Sequence, residues 1–461
     1  MVATVALLPS VAVSVSVAFR LRGAAMTSFG ALLLTSFKAI ASLFLQYLIG
    51  ATVAWFGIVK ESDLRGFGAA MNYVFVPLLS IVALGRGMTV DLFVRDGWVL
   101  ALIGFLSMFE FAAIGLLLRF VAKPSPSFRR PFVVAMALPN VVAIPLSVTQ
   151  SLCEMGAFDA EFGAPGSTLG AEFGRPDCVL RSRALVFMYI CFNSFNVWIT
   201  AFGYLAADAS EATEAPAPAP TTTDVPTAPP TAEVAPEPSP TPLVSGAVRK
   251  ASLRHISVDV GAVGRAQSRP RAVALLAGKR CVALFRRPPV IGMFVGLLVG
   301  LIAPLQEALF APGAPLLPIG TALSMLSEGA VPMVNLMLAF SLGHKLRALK
   351  SWRELLGSTA AGISPRTMIT LTLGRMVLTP LCHGAVLYGL LGVLPQSRLL
   401  RVIVFVEMAP PTASMVVVLS HLANKPRSAQ LVAWASIPQY LLGIVTLTLV
   451  IAFALAVTEP E

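Results

Sequence analysis

Apolar residues run along this chain in long stretches separated by short polar ones. Ten stretches approach or exceed the roughly 20 residues a helix needs to cross a bilayer: 33–58, 68–85, 98–120, 132–153, 184–206, 289–310, 317–341, 367–391, 399–420 and 430–455. They are continuously apolar and lack the period-two alternation of barrel strands. The pattern predicts an all-α polytopic membrane protein. Between the fifth and sixth stretches the character changes. From Pro216 to Pro242, ten of 27 residues are proline and most others are Ala and Thr. That composition predicts an extended, disordered linker with no core to bury. The predicted organisation is an unassigned extension over 1–26, a first five-helix repeat over 27–207, a linker over 208–284, a second five-helix repeat over 285–456 and a tail over 457–461. Residues 1–25 are small and apolar and end on Arg20 and Arg22 with no basic region ahead of them. A targeting extension and a start at Met26 both stay open.

Composition then decides between classes. Apolar residues are 56%, charged residues 12%, and mean hydropathy is +0.80. A soluble protein carries roughly twice that charge, so a soluble enzyme, a nucleic-acid binder and a disordered scaffold are all disfavoured. The net charge of +11 is explained by placement. The side holding loops 1–2, 3–4, 5–6, 7–8 and 9–10 has 22 Lys and Arg, and the other side has 8. Excess Lys and Arg mark the cytoplasmic side. The linker is therefore expected in the cytosol and both termini in the lumen or outside the cell. The basic half of the linker, Arg249 to Arg287, reads as a tether to anionic membrane lipid. Arg249-Lys250-Ala251-Ser252 also fits a basic-directed phosphorylation site.

Five spans on each side of a linker make two halves of opposite orientation, the inverted-repeat plan of many secondary transporters. Proline breakers fall in paired places. Span two carries Val76-Pro77 and span seven Val331-Pro332. Span four carries Pro139-Asn140 and Ile144-Pro145. Span nine carries Pro410-Pro411-Thr412-Ala413-Ser414. Proline removes a helical hydrogen bond, and irregular backbone survives at membrane depth only against protein or a wet cavity. Paired broken spans therefore point to a binding site, whose half-helix N-termini attract an anion.

The stretch Leu138-Pro139-Asn140 to Ile144-Pro145-Leu146 resembles the Asn-x-x-x-(Leu/Ile)-Pro crossover of the auxin efflux carrier family, which includes the PIN-LIKES proteins and fungal and algal relatives. Pro288-Pro289 before a Gly-rich span resembles that family's sixth helix. Ala314-Pro315-Leu316 and Gly329-Ala330-Val331-Pro332 resemble its seventh. Ala409-Pro410-Pro411-Thr412-Ala413 resembles its ninth-helix crossover. The resemblance spans residues 30–456. It implies ten helices in a 5+5 inverted repeat with helices four and nine broken and crossed. It also implies carriage of auxin, an indole carboxylate, or a related organic anion, with Asn140 contacting the carboxylate. Membership among the PIN-LIKES proteins implies the endoplasmic reticulum membrane before the plasma membrane. Where the family often has a second Asn in helix four, this chain has Val142 and Ala143.

The expected substrate site is Asn140, Pro145, Asn335, Pro410, Pro411, Thr412 and Ser414. The prolines would hold the breaks open, and Thr412 and Ser414 would offer hydroxyls. Charges inside spans are costly and tend to be functional. Glu407 precedes the second break and is expected to bind a proton and couple transport, to repel a wrong substrate, or to be an interfacial or bundle-paired carboxylate. Glu110 and Arg375 sit at matching places in the two halves, where a structural ion pair or helix-end snorkelling is the expectation. Cys153 and Cys178 flank the loop between spans four and five, and a disulfide there suits an oxidising lumen. No Cys/His spacing suggests a metal, no phosphate loop or HExxH motif appears, and no cofactor is expected. The expected partners are a small organic anion and membrane lipid, with a homodimer left open and nucleic acid excluded. The leading function is a carrier working by alternating access. A proton- or sodium-coupled exchanger or symporter of the same architecture, and a non-transporting membrane sensor or scaffold acting through the linker, stand beside it.

Overall fold

A computed structural model describes residues 26–60, 63–162, 174–200, 287–347, 351, 363–413, 416–417 and 426–458. All of them fall in the unit formed by residues 1–211 and 284–461; the second unit, residues 212–283, lies outside the described residues. The N-terminal extension, the linker and Ser414 lie outside them too.

Every regular element among the described residues is helical. The first half comprises α1 (Met26–Trp55), α2 (residues 63–87), α3 (Val90–Ala122), α4 (Arg129–Ala137), α5 (Ala143–Glu154) and α6 (Gly174–Thr200). The second comprises α7 (Pro288–Leu301), α8 (Ala303–Phe310), α9 (Leu317–Glu328), α10 (Ala330–Arg347), α11 (Pro365–Leu390), α12 (Arg398–Glu407) and α13 (Pro426–Val457). Six helical stretches are long and apolar enough to cross a membrane, and the bent pair α7–α8 would make a seventh. Expected spans four and nine are interrupted midway, so neither half-helix reaches that length alone. Large apolar side chains lie outward along the long helices, among them Leu48, Phe120, Val121, Val445 and Leu449, each more than half exposed. Such a surface suits lipid and not water.

The prolines act in three different ways. Pro77 leaves its helix continuous, because a π-turn over Met71–Phe75 just ahead of it takes up the clash. Pro332 sits in the first turn of α10, which restarts after Gly329. Pro304 ends the sixth expected span early. Its absent N–H would have bonded Gly300, and the chain turns by 101° between α7 and α8. Gln306 then donates to the carbonyl of Gly85 at 2.8 Å, holding the bent segment against the end of α2.

Small residues set the packing. Gly292, Gly296 and Gly300 of α7 face the α2 backbone at Pro77, Ser80 and Leu84. A Cβ at Gly296 would lie 2.5 Å from the Ser80 carbonyl oxygen. Gly343 of α10 likewise faces Ala51 of α1, and Gly50 faces Ala339. Close backbone approach through small residues is how membrane helices gain contact without a hydrophobic drive. The first helix of each half thus packs on the second span of the other. This exchange is what an inverted repeat produces.

Candidate functional site

The two broken spans meet at their breaks. Helix α4 ends at Ala137, and Leu138, the residue before Pro139, is extended (φ −110°, ψ 91°), as residues before proline prefer. Helix α12 ends at Glu407, ahead of Pro410 and Pro411. The freed backbone groups satisfy one another. The N–H of Asn140 donates to the carbonyl of Pro411 at 2.9 Å, and the N–H of Ala413 donates to Leu138 at 2.9 Å. Pro139 and Thr412 thereby form an isolated antiparallel bridge. In lipid each unpaired group would cost several kcal/mol, about the loss of a full hydrogen bond.

The C-terminal ends of α4 and α12 share one cation. Arg375 of α11 is fully buried. Its Nε donates to Pro410 O at 2.9 Å, Nη1 to Met136 O at 3.3 Å and Nη2 to Met408 O at 3.3 Å. The guanidinium also lies 4.9 Å from the Phe111 ring centroid. Helix C-termini leave carbonyls unsatisfied and carry partial negative charge, and a planar five-donor fork suits several of them at once. The expected pairing of Arg375 with Glu110 does not occur. Glu110 instead meets His383 Nδ1 at 2.5 Å, within α3 and α11.

The predicted polar residues are each placed. Asn140 is 6% exposed. Its Nδ2 donates to Tyr440 Oη at 3.2 Å, and its Oδ1 accepts a long 3.4 Å bond from the Ala143 N–H at the start of α5. Thr412 is locked. Its Oγ1 lies 2.8 Å from Ala135 O and 2.9 Å from Gln439 Oε1, and its N–H donates to Gln439 Oε1 at 2.9 Å. Pro410 and Pro411 are buried in the extended segment. Pro145 sits instead in the first turn of α5, where a missing N–H costs nothing. Asn335 is fully buried on α10. Its Nδ2 donates to Gln46 of α1 at 3.0 Å and to Ser147 of α5 at 3.3 Å, while its Oδ1 has no partner. Ser147 is one turn past the start of α5, so Asn335 adjoins the crossover without joining the bridge. Glu407 is fully buried, and neither carboxylate oxygen has a hydrogen-bond partner. Cys153 and Cys178 are joined as a disulfide, with Cα atoms 5.8 Å apart.

Residues not singled out in the sequence complete the site. Tyr440 bonds Asn140 and the Thr412 carbonyl, the latter at 3.3 Å. Tyr47 packs edge-on against Tyr440 at 6.0 Å, and its hydroxyl is buried without a partner. Gln46, beside it, is exposed in mid-helix although both flanking stretches are apolar. Tyr47 and Tyr440 gave no signal because an aromatic in an apolar span is ordinary. Gln46 and Gln439 were readable as polar groups at depth. No cluster of three or more His, Cys, Asp or Glu able to hold a metal occurs among the described residues.

The sequence of this chain has relatives. PIN-LIKES 3 of Arabidopsis thaliana is 21% identical over 83% of this chain and 87% of its own length. PIN-LIKES 1 of the same plant is 22% identical over 83% of this chain and 71% of its own. PIN-LIKES 7 matches over a shorter region at 26%, covering 29% of this chain and 32% of its own. The resemblance carried by the crossover motifs holds across the two halves and not only at the motifs. Residues 35–451 match the membrane transport protein family, and the chain belongs to that family.

Proposed function

We propose that the protein is a secondary carrier that moves a small organic anion, auxin-like in type, by alternating access, and that the crossover takes the carboxylate. The observation that carries this reading is Arg375, buried on the carbonyls of Met136, Met408 and Pro410. Each helix end carries about half an elementary charge. Two C-terminal ends amount to about one negative charge, which the guanidinium offsets. The opposing N-terminal end of α5 then stays uncompensated, with Asn140 beside it. A monoanion is the charge that end attracts. The second amide hydrogen of Asn140 and the N–H groups of α5 would bind the carboxylate, while Tyr47 and Tyr440 would flank a flat ring.

The family membership supports transport, and no phosphate loop supplies an ATP-driven engine. We propose the endoplasmic reticulum membrane with the linker in the cytosol; the charge count supports the orientation, and the resemblance to the PIN-LIKES proteins supports the choice of membrane. The test is counterflow in liposomes. Purified protein is preloaded with unlabelled indole or aliphatic carboxylate, and uptake of labelled compound is followed. Accelerated exchange for at least one monocarboxylate is expected. No exchange for any of them overturns the carrier reading. Deleting residues 210–280 separates the scaffold alternative, since transport by a carrier survives the deletion and scaffolding through the linker does not.

A further inference from the structure

Glu407 is an ionisable side chain that the anion site does not use. It is the last residue of α12, directly ahead of the crossover. Its exposure is 0%, and Oε1 and Oε2 both lack partners. Its neighbours in sequence are buried and apolar: Val404, Phe405, Val406, Met408 and Ala409. An ionised carboxylate here would face two penalties together. It would be buried without a counter-charge, and it would sit at the negative end of its own half-helix.

The groups on the elements packed against α12 do not relieve this. From α6, Tyr189 faces it and has its hydroxyl 2.7 Å from Ser107 Oγ. From α11, Arg375 comes within one residue, but all three of its nitrogens are spent on carbonyls. His383, also on α11, is engaged by Glu110 of α3. From α13, Tyr440 is bonded to Asn140 and the Thr412 carbonyl. From α5, the titratable groups are Cys153, held in the disulfide, and Glu154, which accepts from Gln150 at 2.9 Å. Arg375 therefore neutralises the helix ends and leaves the adjoining carboxyl to find its own cation.

We infer that Glu407 is a proton-binding site, loaded in this buried arrangement and coupled to the anion taken at the crossover. The inference rests on the proposed anion site and deepens it by naming the driving ion. The linkage has a definite sign. An ionised Glu407, three residues before Pro410 at the crossover, repels a carboxylate bound there, and a protonated one does not. Proton and anion therefore favour one another's binding, which makes the carrier a proton–anion symporter. When the crossover opens to water, the carboxyl can ionise and the proton leaves with the anion on the same side.

Two measurements test this on the full chain. The first is infrared difference spectroscopy of wild type against Glu407→Gln at neutral pH, which reads the carboxyl directly and needs no substrate. A protonated-carboxyl band present in wild type and missing in Glu407→Gln is expected. Absence of any such band overturns the proposal. The second uses proteoliposomes holding a monocarboxylate that the counterflow assay identifies. An inwardly acidic-to-alkaline gradient, acid outside, should drive wild-type uptake above equilibrium by several-fold. Glu407→Gln should keep counterflow and lose that response. A wild type indifferent to the gradient, a Glu407→Gln variant that still responds, or a sodium gradient replacing the proton gradient each overturns it. Failure of counterflow itself would strike the anion-site reading, and the infrared band would still decide whether Glu407 holds a proton. Because Gln copies the shape and neutrality of the protonated acid, folding should be retained; Glu407→Asp provides a second variant that should keep both proton binding and the gradient response.

Discussion

The backbone N–H of Asn140 donates to the carbonyl of Pro411 at 2.9 Å, so the break in one half of the protein is closed by the break in the other. Neither broken span could stay in lipid alone, because each would expose groups with no partner. The crossover is therefore a single joint built from two distant sequences. The side chain of Asn140 is freed for other work precisely because its backbone makes the structural bond. Asn140→Ala keeps that N–H. It removes the bond to Tyr440 and the contact to Ala143. A fall in counterflow of at least tenfold is expected, with folding weakened by about 1 kcal/mol. Exchange assays alongside thermal unfolding in detergent separate the two effects.

Arg375 should be less replaceable than its lone charge suggests. Its three nitrogens serve carbonyls from two chain segments. Hydrogen bonds to charged groups contribute roughly 1.5–3 kcal/mol each, and losses within one network are not additive. Arg375→Met should destabilise the protein by about 3–5 kcal/mol, since buried carbonyls lose their donors. Arg375→Lys keeps the charge but has no planar fork, so it should restore only part of the stability. Melting temperatures of the three proteins, measured in one detergent, check the order.

The sequence made the breaks legible and left their closure hidden. Pro139, Pro410 and Pro411 announce themselves, because proline cannot continue a helix ladder. The order of the motifs around Asn140 and Thr412 also predicts two halves. What closes the joint was not readable. Arg375 bonds to backbone carbonyls, and a carbonyl has no residue type to search for. An arginine in an apolar span looks the same whether it snorkels to the surface or caps two helix ends. Pro77 and Pro304 show the converse limit. Pro77 reads as a breaker and Pro304, inside the sixth expected span, gave no such reading, yet a π-turn absorbs the first while the second bends its span by 101°. The difference lies in the neighbouring turn and its packing, which periodicity does not report.

The α2–α7 contact sets a steric prediction. A Cβ at Gly296 would lie 2.5 Å from Ser80 O and 2.8 Å from Ile81 Cα, both backbone atoms that cannot rotate away. Gly296→Ala should therefore separate the helices and cost about 1–3 kcal/mol, as overpacking does. Gly389, at the other end of the scale, has nothing within 4 Å of its would-be Cβ. Gly389→Ala should lie within about 0.5 kcal/mol of wild type, as exposed substitutions do. A melting-temperature difference that favours Gly296→Ala over Gly389→Ala would refute the packing argument.

The Cys153–Cys178 bond controls more than its own loop. The segment it encloses carries Glu161, whose carboxylate accepts from the Leu399 N–H at 3.0 Å and from Ser397 Oγ at 3.0 Å. Those groups open α12, so a negative charge sits where the helix N-terminus favours one. Arg398 reaches back to the Ala157 carbonyl at 2.9 Å and ties the same loop a second time. A closed loop with a sequence separation of 25 is worth about 3 kcal/mol against the unfolded chain. Replacing both cysteines by serine should lower stability by about that amount. It should also loosen the start of α12, because Glu161 is then held only by its own weak contacts. Both sulfurs belong to residues exposed by 2% or less, so reductant should reach them slowly in the folded protein and quickly after unfolding. Peptide mass spectrometry of the non-reduced protein should find the two cysteines linked, and hydrogen exchange at Leu399 and Leu400 should rise in the double-serine variant while exchange in α7 stays unchanged. Unaltered exchange at the start of α12 would show that the loop is stapled for its own sake and not to hold the broken helix.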